Sequence, residues 1–497
     1  MGAGWRLWRG LLLLALGALA AVYVAVLVRY FLFPYGDLGW AIDHIVWNAW
    51  QMASGQPVYT DPHLGDPAAF MYTPGFTFLC VPLVAVFGPV PWTARLVHLI
   101  GAVLLVVLVT RETAGRVSDR RLAAFAPGLV ILLGSLNFST LIEVNPEVWA
   151  VAFALLALRA TQRVADGGRG LAAAVLCSFA AVATKQTMLA YVPVAALVLL
   201  AARGARAATL YAAGVAVLLG AGAALGQWAT GGWFLRYVLL GARHELLWGQ
   251  LPAVLVFMAE QLLPYLLVLG AAALWGRARP PGASRPAGWL RDAWALALVV
   301  EIALQPIVLL KRGDMPNHFL GVSMLLVPLL LAAVEALLPR LRERRALAAS
   351  LGALALGWVG LRLAQDVPPL WRHLESYDDR VAVVRRLETI VRESHGSAWV
   401  PMGISLAYRN GAPVIAPALI LAEFLPAMPE VVEPVLARLE RAEFETIVLP
   451  NPASFFSLLP EAKFRPRLDA HYRIAEVVGT DTPMGALTPF VVMRRVE

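Results

Sequence analysis

The sequence predicts a polytopic α-helical membrane protein of about eleven spans, followed by a small extracytoplasmic α/β domain. Three observations predict it. Hydrophobic residues make up 59% of the 497 positions and charged residues only 15%, against roughly 25% charged residues in a soluble globular chain, and the mean hydropathy is +0.68. Apolar runs approaching the roughly 20 residues that cross a bilayer core recur from the N-terminus to about residue 365. From about residue 367 charged residues return, and short β-rich runs alternate with helical patterns.

The spans follow in order. Arg6 and Arg9 precede an apolar stretch reaching about residue 28, too long for the apolar core of a signal peptide, so an uncleaved signal anchor is expected. Spans are read near 10–33, 91–110, 122–141, 146–162, 171–186, 188–202, 207–228, 251–275, 291–311, 317–338 and 346–365. Loop charges set the orientation, because cytoplasmic loops of bacterial-type membranes accumulate Lys and Arg. Alternate loops carry Arg111, Arg116, Arg120 and Arg121, then Arg159, Arg163 and Arg169, then Arg203 and Arg206, then Arg277 to Arg291, then Arg340 to Arg345. The loops between them carry far fewer: none around Glu143–Glu147, Lys185 alone, Arg236 with Arg243, and Lys311 with Arg312. The expectation is an inner-membrane protein with a cytoplasmic N-terminus and an extracytoplasmic C-terminus.

The first outer loop, 34–90, is the most informative segment. No Lys or Arg occurs between Arg29 and Arg95, in a chain of formal net charge +8, while Asp37, Asp43, Asp61 and Asp66 all fall there. Residues 39–54 place Ile42, Val46, Ala49 and Ala53 at helical spacing beside Trp47 and Trp50, which suits a helix lying in the membrane interface. Residues 74–88 are apolar, proline-punctuated and too short to span, and read as an interfacial or re-entrant helix. The membrane domain is thus 1–366, and the α/β domain 367–497. In the latter, helical patterns at 376–395 and 428–442 alternate with β-rich runs at 398–402, 413–417, 445–450 and 489–495.

Several classes are excluded. The basic residues are almost all arginines, most of them in short loops between spans, without the aromatic interleaving of a nucleic-acid surface, so no nucleic-acid partner is expected. Cys80 and Cys177 sit in apolar segments and build neither a disulfide framework nor a CxxC site. No His/Cys/Asp grouping has metal-ligand spacing, and a divalent metal is not expected.

Three stretches together resemble the GT-C glycosyltransferase superfamily, in the branch of protein O-mannosyltransferases and lipid A aminoarabinose transferases. They are GDLGWAIDH…NAWQMASGQPVYTDP with YTPGFTFLCVPLVAVFG and Arg95, TKQT at Thr184–Thr187, and KRGDMPNHFL at Lys311–Leu320. The resemblance covers about residues 10–365. It implies a glycosyltransferase that takes a sugar from a polyprenyl-phosphate donor and passes it, with inversion, to an extracytoplasmic hydroxyl on a lipid, glycan or protein. No cofactor is implied beyond that donor. Family members often carry two adjacent acids at the head of the loop helix; here Asp37 stands alone and Asp43 is next.

The residues carry this chemistry alongside plainer roles. An attacking hydroxyl needs its proton removed, which a carboxylate can do; Asp37 and Asp43 are the candidates, against an N-cap for Asp37 and a hydrated helix face for Asp43. The leaving phosphate needs cations, for which Lys185, Lys311, His318 and Arg243 are the candidates, against a Lys185 that snorkels to the interface. His44, Glu147 and Asn317 are candidates for binding sugar or acceptor, with Glu147 equally suited to capping its helix. Asp61 reads as a turn residue and His98 as a packed interior histidine. Glu260 and Glu301 fall inside spans, where an acid is expensive enough to suggest use. They keep a second class open, a lipid or polysaccharide transporter or flippase, and a non-catalytic assembly subunit is a third. Against the transporter stand the absence of inverted repeats and the long one-sided first loop.

Overall fold

The computed structural model describes residues 3–35, 41–61, 72–134, 141–240, 246–276, 290–310, 318–343, 350, 353–354, 356–361, 364–365, 367–368, 371, 375–395, 397–415, 417–426, 428–479 and 489–496. The chain is mostly helical. Among the described residues seven helices are long and apolar enough to cross a membrane: Gly10–Leu32, Pro91–Arg116, Glu147–Ala165, Gln186–Arg203, Ala205–Ala229, Trp248–Leu274 and Phe319–Pro339. Each coincides with an expected span. Two further expected spans are shorter apolar helices, Leu171–Thr184 and Ala293–Leu309. The first is cut short because Lys185 leaves helical geometry (φ −152°, ψ 123°) and a 3₁₀ turn, Gln186–Ala190, follows. The expected span 122–141 is broken into Arg120–Ala123 and Ala126–Gly134 before it passes outside the described residues, and 346–365 is described only in part. Eleven full-length spans are therefore not what the described residues show.

Packing divides the chain into two compact units. The first comprises Met1–Leu27, His98–Gly220 and His244–Leu370. Its helices approach closely at small residues: the Trp149 indole lies 2.7 Å from where a Cβ on Gly101 would stand, so only glycine fits there. The arginine-rich loops of this unit tie its helices together. Arg116 donates to both carboxylate oxygens of Asp292 (2.7 and 2.9 Å), and Asp292 caps Ala293–Leu309 by accepting from the N–H groups of Trp294 and Ala295. Gln162 Oε1 accepts from Ala293 N–H at 3.0 Å, and Glu335 accepts from Ser118 and Asp119. Helix ends need such partners, because their terminal N–H groups have none within the helix.

The second unit comprises Val28–Val97, Ala221–Arg243 and Trp371–Glu497. Its sheet has four strands, β1 (Ala398–Trp399), β2 (Thr446–Leu449), β3 (Tyr472–Val478) and β4 (Phe490–Arg495), in the order β1-β2-β4-β3. Only β1 and β2 are parallel; β4 runs antiparallel to β2 and β3. Three expected β-runs are strands, shortened. The run 413–417 has no strand among its described residues, and β3 was not anticipated: its Arg473, Glu476 and exposed Ile474 lie on an open edge that needs no apolar alternation. The helical pattern 376–395 is the helix Tyr377–Glu393; that at 428–442 divides into a 3₁₀ turn, Pro429–Val432, and Glu433–Glu440. In the first outer loop, Ala41–Ala53 and Gly75–Phe87 are helices packed on each other. Ile42, Ile45, Val46 and Ala49 form the buried face of the former. The core of the sheet and its helices, including Val384, Leu387, Val448 and Phe490, also takes in Phe33 and Tyr35 from the exit of the first span.

Candidate active-site residues

Asp37, Arg243, Lys311 and Asn317 lie outside the described residues. Asp43 and His44 occupy the first turn of Ala41–Ala53, where unpaired N–H groups and the helix dipole favour a carboxylate. Asp43 does not face water, as a hydrated interfacial face would require; it is 1% exposed. Its Oδ2 accepts from the hydroxyl of Ser405 at 2.6 Å and from the Ser405 backbone N–H at 3.2 Å, both from the short helix Ile404–Arg409. Two hydrogen bonds to one carboxyl oxygen offset much of the cost of burying it. One turn on from Asp43, Trp47 stacks on Tyr408 (5.3 Å between centroids, 14° between planes). Burial and the nearby Asp43 carboxylate raise the Tyr408 hydroxyl well above the usual tyrosine range, so it stays neutral. His44 is buried beside Asp43.

The chain entering this loop is held by arginines. Arg95 is 2% exposed and donates to the carbonyl oxygens of Phe33 and Tyr35, with its guanidinium over the Tyr30 ring. Arg409 Nη1 donates to Pro34 O at 2.9 Å and lies over Tyr35, and Arg380 lies over Phe33. Arg236 sits over Trp233, and the Tyr237 hydroxyl donates to Thr60 O at 3.0 Å beside Asp61.

In the first unit the candidate cation and acid meet. Lys185 Nζ pairs with Glu147 Oε1, both side chains buried. The break after Thr184 that ends the Leu171–Thr184 helix carries Lys185, while Glu147 opens Glu147–Ala165. Asn145 Oδ1 accepts from Glu147 N–H at 3.1 Å, and His98 Nδ1 accepts from Asn145 N–H at 3.3 Å, so His98 is the packed interior histidine expected. Lys185 is thus charge-compensated, and a phosphate reaching it competes with Glu147. A second polar group surrounds Glu301. Gln305 Nε2 donates to Glu301 Oε2 (3.2 Å) and to the backbone oxygen of His318 (3.1 Å), beside the buried Tyr191. Glu260 is exposed on its helix. Among the described residues no three His, Cys, Asp or Glu side chains converge as a metal site would.

Ser405, Tyr408 and Arg409 were not legible as site residues. A serine in a six-residue helix, more than 360 residues from its partner, leaves no pattern in the sequence. Arg95 did carry a signal, as the cation that ends the cation-free loop.

No family model matches the chain, and no curated protein matches it in sequence. Solved structures do. The crystal structure of ArnT from Cupriavidus metallidurans bound to undecaprenyl phosphate superposes with a TM-score of 0.58, covering 97% of this chain and 98% of that one at 16% identity. The fold is that of ArnT. The apo structure of the same enzyme gives a TM-score of 0.53 at 17% identity, covering 96% and 97%. ArnT is a lipid A aminoarabinose transferase of the GT-C type, so the expected fold class is met over almost the whole length. Identity this low carries the fold and not the site. The ArnT fold, together with the seven apolar helices, makes this a membrane protein.

Proposed function

We propose that the chain is a polyprenyl-phosphate-sugar-dependent glycosyltransferase that passes its sugar, with inversion, to an extracytoplasmic hydroxyl on a lipid, glycan or protein. The observation that carries this reading is the ArnT fold over 97% of the chain, found in an enzyme whose structure holds undecaprenyl phosphate. The acid-bearing, cation-free first outer loop supports it. Asp37 takes the acceptor proton as the hydroxyl attacks the anomeric carbon, and the bond to the donor phosphate breaks on the opposite face. Lys311, Arg243 and His318 neutralise the departing polyprenyl phosphate, joined by Lys185 where the phosphate displaces Glu147. Asn317 and His44 bind sugar or acceptor. The membrane is a bacterial-type inner membrane with the N-terminus cytoplasmic and residues 367–497 outside.

A carrier reading draws on Glu301, an acid within an apolar helix that is hydrogen-bonded to Gln305. One comparison separates the two. Full-length protein in lipid nanodiscs is given a panel of radiolabelled polyprenyl-phosphate sugars, as wild type, Asp37→Asn and Glu301→Gln. A transferase consumes one donor, loses at least about a hundredfold in kcat in Asp37→Asn, the scale of a lost general base, and keeps most of its turnover in Glu301→Gln. Consumption of no donor, with lipid movement in proteoliposomes that fails only in Glu301→Gln, overturns the transferase reading.

A further inference from the structure

We propose that the helix Ile404–Arg409 is the positioning element of the first outer loop, and that Asp43 serves it as an anchor and not as a base. The inference rests on the transferase reading above for its consequence in catalysis, but its geometry stands without it. The helix makes three contacts with this loop. At its start, the Ser405 hydroxyl and N–H hold Asp43 Oδ2 at 2.6 and 3.2 Å. In its last turn Tyr408 stacks on Trp47, one helical turn past Asp43. At its end, Arg409 takes the carbonyl of Pro34 at 2.9 Å and covers the Tyr35 ring. In sequence, Asp37 lies two residues after Tyr35 and six before Asp43, so one six-residue helix grips the chain on both sides of it.

The grip is stiff for physical reasons. Three consecutive carbonyls, those of Phe33, Pro34 and Tyr35, accept from guanidinium groups, two from Arg95 and one from Arg409. Planar guanidinium forks lose little freedom on bonding and so hold backbone firmly. Phe33 and Tyr35 are sunk in the same core as Leu406, Ala407 and the sheet residues Val448 and Val492. Asp43, buried and already committed to Ser405, is ill-placed to exchange protons with an acceptor in solution. Rate is sensitive to such placement: moving a catalytic group by about 1 Å can cost a hundredfold. The α/β segment thereby has a role in turnover that its lack of catalytic groups conceals.

The test compares Asp43→Asn, Asp43→Ala, Ser405→Ala, Ser405→Thr, Arg409→Ala and the double Asp43→Ala/Ser405→Ala, as full chains in nanodiscs. Two readouts are taken, kcat and KM with the donor that wild type consumes, and hydrogen exchange along residues 30–53. Asparagine keeps an acceptor for Ser405, so Asp43→Asn loses no more than about tenfold in kcat, and Ser405→Thr restores what Ser405→Ala loses. Asp43→Ala, Ser405→Ala and Arg409→Ala lose about ten- to a hundredfold in kcat with KM for the donor nearly unchanged. The double variant is no worse than Asp43→Ala, because the two residues act through one contact. Exchange in Ala41–Ala53 rises in Ser405→Ala while β2 and β4 stay protected. Asp43→Asn as inactive as Asp37→Asn, beside a fully active Ser405→Ala, overturns the proposal and makes Asp43 the base. Unchanged exchange in all variants overturns it as well. A wild type that consumes no donor sinks the transferase reading alone, since the exchange readout still decides whether the helix holds the loop.

Discussion

A lysine and a glutamate buried against each other make the sharpest residue-level statement in this chain. Lys185 and Glu147 are both excluded from solvent, and each offsets the other's charge there. Removing one takes that compensation from the other. Lys185→Met and Glu147→Leu are each expected to cost about 3–5 kcal/mol, and the double replacement to recover most of that loss. Thermal unfolding of the four proteins in one detergent checks this. Additive losses would show that the pair is not coupled. A recovered double variant with a raised KM for the donor would show Lys185 meeting phosphate as well as Glu147. The sequence marked both residues separately, Lys185 as the only cation of its outer loop and Glu147 as the acid at a helix start. Their pairing was not legible, because it depends on where the chain leaves helical geometry at Lys185. Asp43 was legible as a site residue and its burial was not, since Ser405 comes from a distant segment with no motif.

Helices of this chain are legible wherever apolar length alone decides, and less so where a local feature ends them. The seven long apolar helices match expected spans because about 20 apolar residues leave few alternatives. The Leu171–Thr184 helix ends two residues before its expected span, where the backbone turns extended at Lys185. Strand β3 escaped for a different reason: an edge strand keeps charged and apolar side chains in mixed order. One helix start can be tested through its cap. Asp292 accepts from the Trp294 and Ala295 N–H groups and pairs with Arg116. Asp292→Ala, which removes both, is expected to be less stable than wild type by about 1–2 kcal/mol, whereas Asp292→Asn keeps the cap and loses less. Thermal melts of the three proteins in one detergent measure it, and an Asp292→Ala as stable as wild type would refute the assignment.

At the scale of the whole molecule, the ArnT fold spans the chain at an identity where sequence comparison alone finds no curated match. What persists is the fold, over 97% of this chain and 98% of that one. The cation-free loop made the class readable early, because membrane topology restricts where arginines fall. Phe33 and Tyr35, where the chain enters the first outer loop, share a core with residues of the α/β segment. That sharing was invisible in the sequence, where the two segments are separated by most of the membrane helices. The central claim, that this molecule cleaves a polyprenyl-phosphate sugar, is tested most directly by mass spectrometry of the lipid product. Wild-type protein in nanodiscs is incubated with undecaprenyl-phosphate-linked sugars and an envelope lipid extract as acceptor. The account predicts time-dependent appearance of free undecaprenyl phosphate from one donor, matched by a glycosylated acceptor. Donors that remain intact across the panel, in protein that binds undecaprenyl phosphate, would contradict it.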